Sequence, residues 1–205
     1  MKDSTKLPKP RLEPLPAGHA PELMPIFQAY QSTLGFMPNS ELIMQRRPKL
    51  VQALGSLRAA VFDPEGEVHG GFRRLIGHVA SQAAGCRYCM AHTAGTSLLN
   101  GIEEQRLAAV WDYRSSPLFT EAEKIALDLA LAAGSVPNDV TDEMFAELRR
   151  HWNDNQVVEI VAVISLFGFL NRWNDTMATP LEARPLGVGE KFLQPHGWTV
   201  GKHGG

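Results

Sequence analysis

The fold of this chain is indicated most clearly by residues 72–92, which read FRRLIGHVASQAAGCRYCMAH. Apolar residues recur at helical spacing in the first half of this stretch, at Phe72, Leu75, Ile76, Val79, Ala80 and Ala83. Gly85 is expected to end this helix, because glycine readily adopts the left-handed conformation that follows many helices. Cys86 and Cys89 then open a second helix that reaches about Asn100. The stretch therefore predicts two consecutive helices, with both cysteines at the start of the second.

The chain contains only two cysteines, and Cys89 follows Cys86 by three residues. Thiols at this spacing on a helix lie about one turn apart, close enough to form a disulfide with little backbone movement. A bridge that closes so small a loop restrains the unfolded chain very little, which disfavours a purely structural role. The spacing instead predicts dithiol–disulfide exchange.

His92 follows Cys89 by three residues and shares its helical face, so its imidazole is a candidate base for a thiol. The first turn of a helix stabilises a thiolate, and we therefore expect the cysteine pKa to be lowered. One thiolate would attack a peroxide oxygen or a disulfide sulfur. The partner thiol would then resolve the sulfenic acid or mixed disulfide.

Two non-catalytic interpretations of the pair stay open. Cys86 and Cys89 are buried and inert core residues in the first. In the second they belong to a metal or structural thiol site, with His92 and either His78 or His69 as further ligands. Structural zinc normally uses two separate ligand pairs, whereas this chain has one CxxC, so we expect no metal. We also expect no cofactor, because no phosphate loop or dinucleotide fingerprint is present.

Composition limits the remaining classes of function. The 205 residues are 44% hydrophobic and 20% charged, with a formal net charge of -2, which disfavours nucleic-acid binding. The first 21 residues lack the apolar core of a secretory signal, so we expect a cytoplasmic protein. The longest apolar run, residues 157–170, contains Glu159 and is shorter than a membrane span, so we expect no membrane partner.

Three regions are predicted along the chain. Residues 1–20 form an extended, proline-rich arm that is either disordered or laid over a neighbouring subunit. Residues 21–180 show helical periodicity nearly throughout and no alternating strand pattern, which predicts an all-α domain. Residues 181–205, rich in proline and glycine, are expected to form an irregular tail. The apolar final helix favours a homo-oligomer.

Residues 84–93, AGCRYCMAHT, resemble the carboxymuconolactone decarboxylase/alkylhydroperoxidase D-like (AhpD-like) family. Residues 34–40, LGFMPNS, and 154–160, DNQVVEI, are similar to its N-terminal entry and its C-terminal helix. The resemblance implies an AhpD-like helical bundle that assembles into oligomers. It also implies a thiol peroxidase or thiol–disulfide oxidoreductase that acts on a hydroperoxide and takes electrons from a thiol or protein reductant. In such members the second cysteine, here Cys89, attacks the peroxide, and Cys86 would resolve it.

The same family contains lactone decarboxylases, which generally lack the paired cysteines; decarboxylation is therefore the alternative enzymatic activity. Two departures from the hydroperoxidase pattern concern proton transfer. Arg74 stands where that pattern has a glutamate, twelve residues before the first cysteine, and His92 follows the second cysteine by three residues rather than four. His78 lies one turn after Arg74 on the same helix face. We hypothesise that His78 supplies the base that the missing glutamate would have been.

Overall fold

A computed structural model describes residues 9–205, and every regular element in this part of the chain is helical. The all-α prediction is confirmed. The ten α-helices of the described residues are α1 Met24–Leu34, α2 Asn39–Met44, α3 Pro48–Val61, α4 Gly70–Ala83, α5 Arg87–Leu99, α6 Glu104–Ala108, α7 Glu121–Gly134, α8 Asp142–His151, α9 Asp154–Met177 and α10 Ala183–Val188.

The connection between α4 and α5 places both cysteines. The chain turns at Gly85, whose φ is +71°. The N–H of Gly85 donates to the carbonyl of Gln82 at 3.0 Å, and the N–H of Cys86 donates to the carbonyl of Ser81 at 3.1 Å. These two bonds form a Schellman motif, which satisfies carbonyls at the end of α4. Cys86 is the N-cap of α5 and Cys89 lies in its first turn, as the sequence predicts.

Helix α4 is the central element of the bundle and packs against α5, α7 and α9. Even its polar residues Arg73 and His78 are buried, with exposed fractions of 3% and 0%. The guanidinium of Arg73 donates to the carbonyls of Val61 and Asp63, at 2.9 and 2.7 Å. Because α5, α7 and α9 pack around α4, the side chains of α4 are held in fixed positions relative to α5.

A tight approach between α4 and α7 yields a stability prediction. A Cβ at Gly134 would lie 2.8 Å from the carbonyl oxygen of Ala80, a backbone atom that cannot move aside alone. Gly134→Ala is therefore expected to lower the free energy of unfolding by about 1–3 kcal/mol, the usual cost of overpacking. Urea unfolding followed by circular dichroism measures this loss.

Gly168→Ala is the matched control, because Gly168 is an exposed position of α9 with no atom within 4 Å of the added Cβ. There the same substitution is expected to raise stability by about 0.5–1 kcal/mol, since alanine is the better helix former. Equal effects of the two substitutions would contradict the close packing of α4 on α7.

Helix α9 is longer than its apolar run suggested. It extends over 24 residues, and by length and composition alone it passes as a candidate membrane span, although the apolar run inside it is shorter. The helix is longer than the apolar run because polar residues on both sides of the run are also helical. One face of α9 is buried against α3, α4, α5 and α7, as in the core helix of a bundle. Another face exposes Val158, Val161 and Phe169.

Residues 1–8 of the predicted N-terminal arm lie outside the described residues. Residues 9–16 are free of helix, and a short 3-10 turn follows at Ala17–His19. The N–H of Leu15 donates to the carbonyl of Leu42 at 3.2 Å, and the Gln45 side chain donates to the carbonyl of Leu15 at 3.0 Å. The described part of the arm therefore packs along α2 of its own chain.

The C-terminal segment is not the irregular tail that we expected. It contains α10, a π-helical turn at Gly189–Leu193 and 3-10 turns at Gln194–His196 and Gly201–His203. The prediction is wrong because Pro185 and Pro195 lie in the first turn of their helices, where proline removes only an N–H that has no helical partner. Trp198 is buried and donates to the carbonyl of Arg87 at 3.1 Å, which fixes the segment beside α5.

Candidate active site

A cleft of 1070 Å³ opens beside the first turns of α5, enclosed by α1, α2, α3, α4 and α9. Cys89, His92 and Arg74 line it, whereas Cys86 does not. Most of the wall is apolar and includes Ile26, Ala29, Leu34, Phe62, Leu166 and Leu170. The cleft therefore gives a small organic molecule access to one thiol of the pair.

Both thiols are free and buried, with exposed fractions of 0% for Cys86 and 3% for Cys89. The Asn174 side chain donates to the Cys89 sulfur at 3.5 Å. We expected the helix N-terminus to lower the pKa, and for Cys89 this prediction is wrong. Burial, the hydrogen bond with Cys86 and the negative charge of Glu41 raise the pKa of Cys89 well above its ordinary value, although Asn174 opposes them. The thiol is therefore protonated at rest and needs a base.

A carboxylate–imidazole pair includes His92, which follows Cys89 by one turn of α5 and lines the same cleft. The Nε2 of His92 donates to Glu182 at 2.7 Å, and the hydroxyl of Tyr88 donates to the other carboxylate oxygen at 2.9 Å. The Tyr88 and His92 rings stack at 4.3 Å, and Phe36 meets the His92 ring edge-on at 5.6 Å. Because Nε2 is held by Glu182, Nδ1 is the nitrogen of a neutral His92 that is left to accept a proton.

Glu182 is mostly buried, yet it stays ionised. Burial alone would raise the pKa of this carboxyl, but the charge of His92 and hydrogen bonds from His92 and the Asn39 backbone outweigh it. The pKa of Glu182 is therefore below its ordinary value of 4.5. A carboxylate that is stabilised in the folded state contributes stability above that ordinary pKa and loses it as the pH falls through the lower, folded pKa.

Glu182→Gln is expected to destabilise the protein in a pH-dependent way. At pH 7 the loss is about 1–3 kcal/mol, because the amide cannot replace the carboxylate as the acceptor for both His92 and Tyr88. The difference from wild type shrinks as the pH falls below 4.5, where the wild-type carboxylate also becomes protonated. Urea unfolding between pH 3 and pH 7 measures both values.

Glu65→Gln is a control for the loss of one carboxylate, because Glu65 lies in the turn after α3. It is expected to change stability little at any pH. A Glu182→Gln loss that stays constant down to pH 3 would contradict the ion pair.

The far wall of the cleft carries a second buried ion pair. Glu41 is 2% exposed and accepts from the guanidinium of Arg58, while Tyr30 bonds to both side chains. The negative charge of Glu41 raises the pKa of Tyr30 further after burial has raised it, so this hydroxyl remains protonated. The pair lies in the wall as a neutral unit.

His78, the hypothesised substitute for the missing glutamate, lies between α4 and α5 and does not line the cleft. Its Nδ1 is 3.1 Å from the carbonyl of Met90 and 3.0 Å from the hydroxyl of Thr93. Burial lowers the pKa of His78 to about 4, so the ring is neutral. Its role as a base stays a prediction, and in this structure the carboxylate at the site belongs to Glu182.

Among residues 9–205, no group of three or more histidine, cysteine and carboxylate side chains is arranged to hold a metal ion. Cys86, Cys89 and His92, which the metal hypothesis placed together, are instead engaged with each other, Asn174 and Glu182. The geometry thus offers one thiol, Cys89, and an imidazole to a substrate in the cleft.

Sequence reasoning missed Glu182 and Glu41. Glu182 is 90 residues from His92 and stands in a proline-rich segment that carries no local sign of a site. Glu41 lies on the six-residue helix α2, which is too short for a periodicity signal. Only the tertiary packing of α2 and of the segment before α10 brings these carboxylates to α5.

The fold and the site define an all-helical protein with a buried CxxC pair beside an apolar cleft. The chain matches the family model of the carboxymuconolactone decarboxylase family over residues 48–132. It belongs to this family, and its fold is AhpD-like.

The chain is also similar to three individual proteins. The debrominase Bmp8 is 32% identical with a TM-score of 0.83 over 88% of this chain and 96% of its own, and a cysteine-to-alanine variant of it was solved with 2,3,4-tribromopyrrole. A peroxidase-related protein with an alkylhydroperoxidase AhpD core, from Ralstonia eutropha JMP134, covers 83% of this chain and 88% of its own. Its TM-score is 0.71 at 22% identity, a likeness of fold alone.

The third is the uncharacterized protein YnjA of Escherichia coli (strain K12), which is 31% identical over 110 residues. That match covers 54% of this chain and 60% of YnjA, so the chain spans less than two thirds of this relative.

Proposed function

We propose that this protein is a dithiol peroxidase that reduces organic hydroperoxides, with Cys89 as the attacking thiol and Cys86 as the resolving thiol. One observation carries the proposal: of the two thiols at the start of α5, Cys89 alone lines the cleft. A substrate in the cleft can contact Cys89. Cys86 is fully buried and does not line the cleft, so the substrate does not reach it.

The reaction uses the two electrons of the dithiol. The Cys89 sulfur attacks the terminal peroxide oxygen; an S–O bond forms, the O–O bond breaks, and the alcohol leaves with a proton. The Cys86 sulfur then attacks Cys89; an S–S bond forms, and water leaves from the sulfenic acid. An external thiol or protein reductant returns two electrons and two protons to the disulfide.

His92 is the proposed base in the first step. The raised pKa of Cys89 means that its proton must be removed as the S–O bond forms. His92 follows Cys89 by one helical turn and lines the same cleft, and Glu182 stabilises the imidazolium that results. Asn174 donates to the Cys89 sulfur and favours the thiolate over the thiol.

Peroxide consumption with dithiothreitol as the reductant tests the proposal. Cumene hydroperoxide is expected to disappear with saturation kinetics, one dithiothreitol being oxidised for each peroxide reduced. A rate no greater than that of dithiothreitol alone would contradict the proposal. Release of carbon dioxide from carboxymuconolactone by the same preparation would favour the decarboxylase alternative.

Reductive debromination is a second candidate, favoured by the 32% identity with the debrominase Bmp8 over 88% of this chain. Replacing a bromine on carbon by hydrogen also consumes two electrons, and oxidation of Cys86 and Cys89 to a disulfide supplies them with release of bromide. Bromide release from 2,3,4-tribromopyrrole, measured with dithiothreitol present, would establish this activity. Its absence beside active peroxide reduction would exclude it for that compound.

A further inference from the structure

Arg74 on α4 is a cation in the cleft wall without a polar partner. Its guanidinium forms no ion pair or hydrogen bond with any residue in 9–205, and its Nε is completely buried without an acceptor. The guanidinium lies over the ring of Phe62, 3.3 Å from the ring centre. A buried, unpaired charge is costly, so an arrangement of this kind suits a charge that a ligand neutralises.

The neighbouring Arg73 shows what an arginine with only a structural role does in the same helix. Its guanidinium donates to two backbone carbonyls, and it does not line the cleft. Arg74 faces the cleft and has no such acceptor. Packing therefore explains Arg73 but leaves the charge of Arg74 unexplained.

The charges that line the cleft do not balance. The ionisable side chains in its wall are Tyr30, Glu41, Arg58, Arg74, Tyr88, Cys89 and His92. Glu41 is the single carboxylate among them, and it is occupied by Arg58. Burial and repulsion from Arg58 and Arg73 lower the pKa of Arg74 to about 10, so it stays protonated at neutral pH. Among residues 9–205, the cleft wall thus has one positive charge, that of Arg74, without a carboxylate to neutralise it.

The size and the apolar lining of the cleft indicate what kind of ligand could complement this charge. A cleft of 1070 Å³ is at the upper end of the range for small-molecule sites, and its wall is mainly aliphatic. A ligand that fits has an apolar body and one anionic group. A carboxylate suits this position, because its two oxygens match the paired donors of a guanidinium.

We infer that Arg74 binds the carboxylate of the substrate, and that the substrate class is amphipathic organic hydroperoxides with a carboxylate at one end. This inference rests on the proposed peroxidase function and names its substrate. The carboxylate does not react. It holds the molecule in the cleft while the hydroperoxide group meets Cys89, and the products are the hydroxy acid, water and the Cys86–Cys89 disulfide.

The kinetic test compares a fatty-acid hydroperoxide with its methyl ester, which has the same body and no charge. Arg74→Gln is expected to raise the KM for the acid by about 10- to 100-fold, the range for a lost hydrogen bond to a charged group. Its kcat for the acid and both constants for the ester should stay close to wild type. Arg74→Lys should recover part of the loss, because it keeps the charge but not the two-pronged geometry.

Arg172→Gln is the matched control, since Arg172 is exposed on α9 and does not line the cleft. It should leave all four constants unchanged. A parallel loss for acid and ester in Arg74→Gln would overturn the inference, because Arg74 would then serve the thiol or the fold rather than the carboxylate.

A binding experiment separates this inference from the proposed function. Octanoate and octanamide are titrated calorimetrically into the reduced wild-type protein and into Arg74→Gln, and neither compound can be reduced. We expect wild type to bind octanoate about 10-fold or more tightly than octanamide, and Arg74→Gln to lose this preference. Equal affinities in wild type would overturn the inference even in an active peroxidase. A clear preference without any peroxide reduction would keep the anion site and overturn the peroxidase proposal.

Discussion

Cys89→Ser is expected to reduce the rate of hydroperoxide reduction by about 1000-fold or more, since a serine hydroxyl cannot replace a thiolate as the nucleophile. We expect a loss of rate this large because Cys89 is the one thiol that lines the cleft. Cys86 is fully buried and cannot take its place at the substrate. The initial rate of cumene hydroperoxide consumption measures the loss.

The fold should survive this substitution. Serine is close in size to cysteine, and the Asn174 side chain that donates to the sulfur can donate to the hydroxyl instead. Circular dichroism and the urea midpoint are the checks. A Cys89→Ser protein that is folded and still reduces hydroperoxide at the wild-type rate would show that this thiol is not the nucleophile.

Cys86→Ser is expected to separate the first turnover from all later ones. Cys89 still reaches the substrate, so one equivalent of peroxide per chain should be reduced at close to the wild-type rate. Without the resolving thiol, Cys89 then remains a sulfenic acid, and steady-state turnover should fall by about 10-fold or more because the reductant must attack that group directly. Rapid-mixing kinetics and trapping of the sulfenic acid with dimedone measure the two phases.

Two results would contradict the assigned roles. Full steady-state turnover in Cys86→Ser would show that Cys86 does not resolve the intermediate. Loss of the first turnover in Cys86→Ser, with the first turnover kept in Cys89→Ser, would exchange the roles of the two thiols.

The local pattern around the cysteines was enough to predict α4, the turn and α5. The helical spacing of apolar residues from Phe72 to Ala83 and the glycine at position 85 both depend on interactions within one or two turns. Such signals depend only on residues that are close in sequence. The position of Cys86 and Cys89 at the N-terminus of α5 could therefore be predicted from them.

The electrostatics of the site could not be predicted in the same way. The expected low pKa of Cys89 followed from its place on the helix, but burial, the interaction with Cys86 and the nearby charge of Glu41 raise the pKa instead. The carboxylate that pairs with His92 comes from Glu182, beyond α9. Glu41 and Glu182 lie 48 and 93 positions away from Cys89 along the chain (41 to 89 and 89 to 182), so no local pattern contains these two carboxylates.

The role of Arg74 could not be predicted from the sequence either. The sequence identified it as a departure from the hydroperoxidase pattern, and on that basis we looked to His78 for a replacement base. The structure places Arg74 in the cleft wall and His78 outside it. We therefore propose Arg74 as a cation that binds the ligand, rather than as the mark of a lost base.

We propose that a hydroperoxide oxidises Cys86 and Cys89 together within one chain. A count of free thiols in the reduced, metal-free protein, before and after one equivalent of cumene hydroperoxide, tests this. We predict a fall from two thiols per chain to none, with the chain still monomeric on a non-reducing gel. Two thiols that persist after minutes of exposure would show that the pair does not reduce the peroxide.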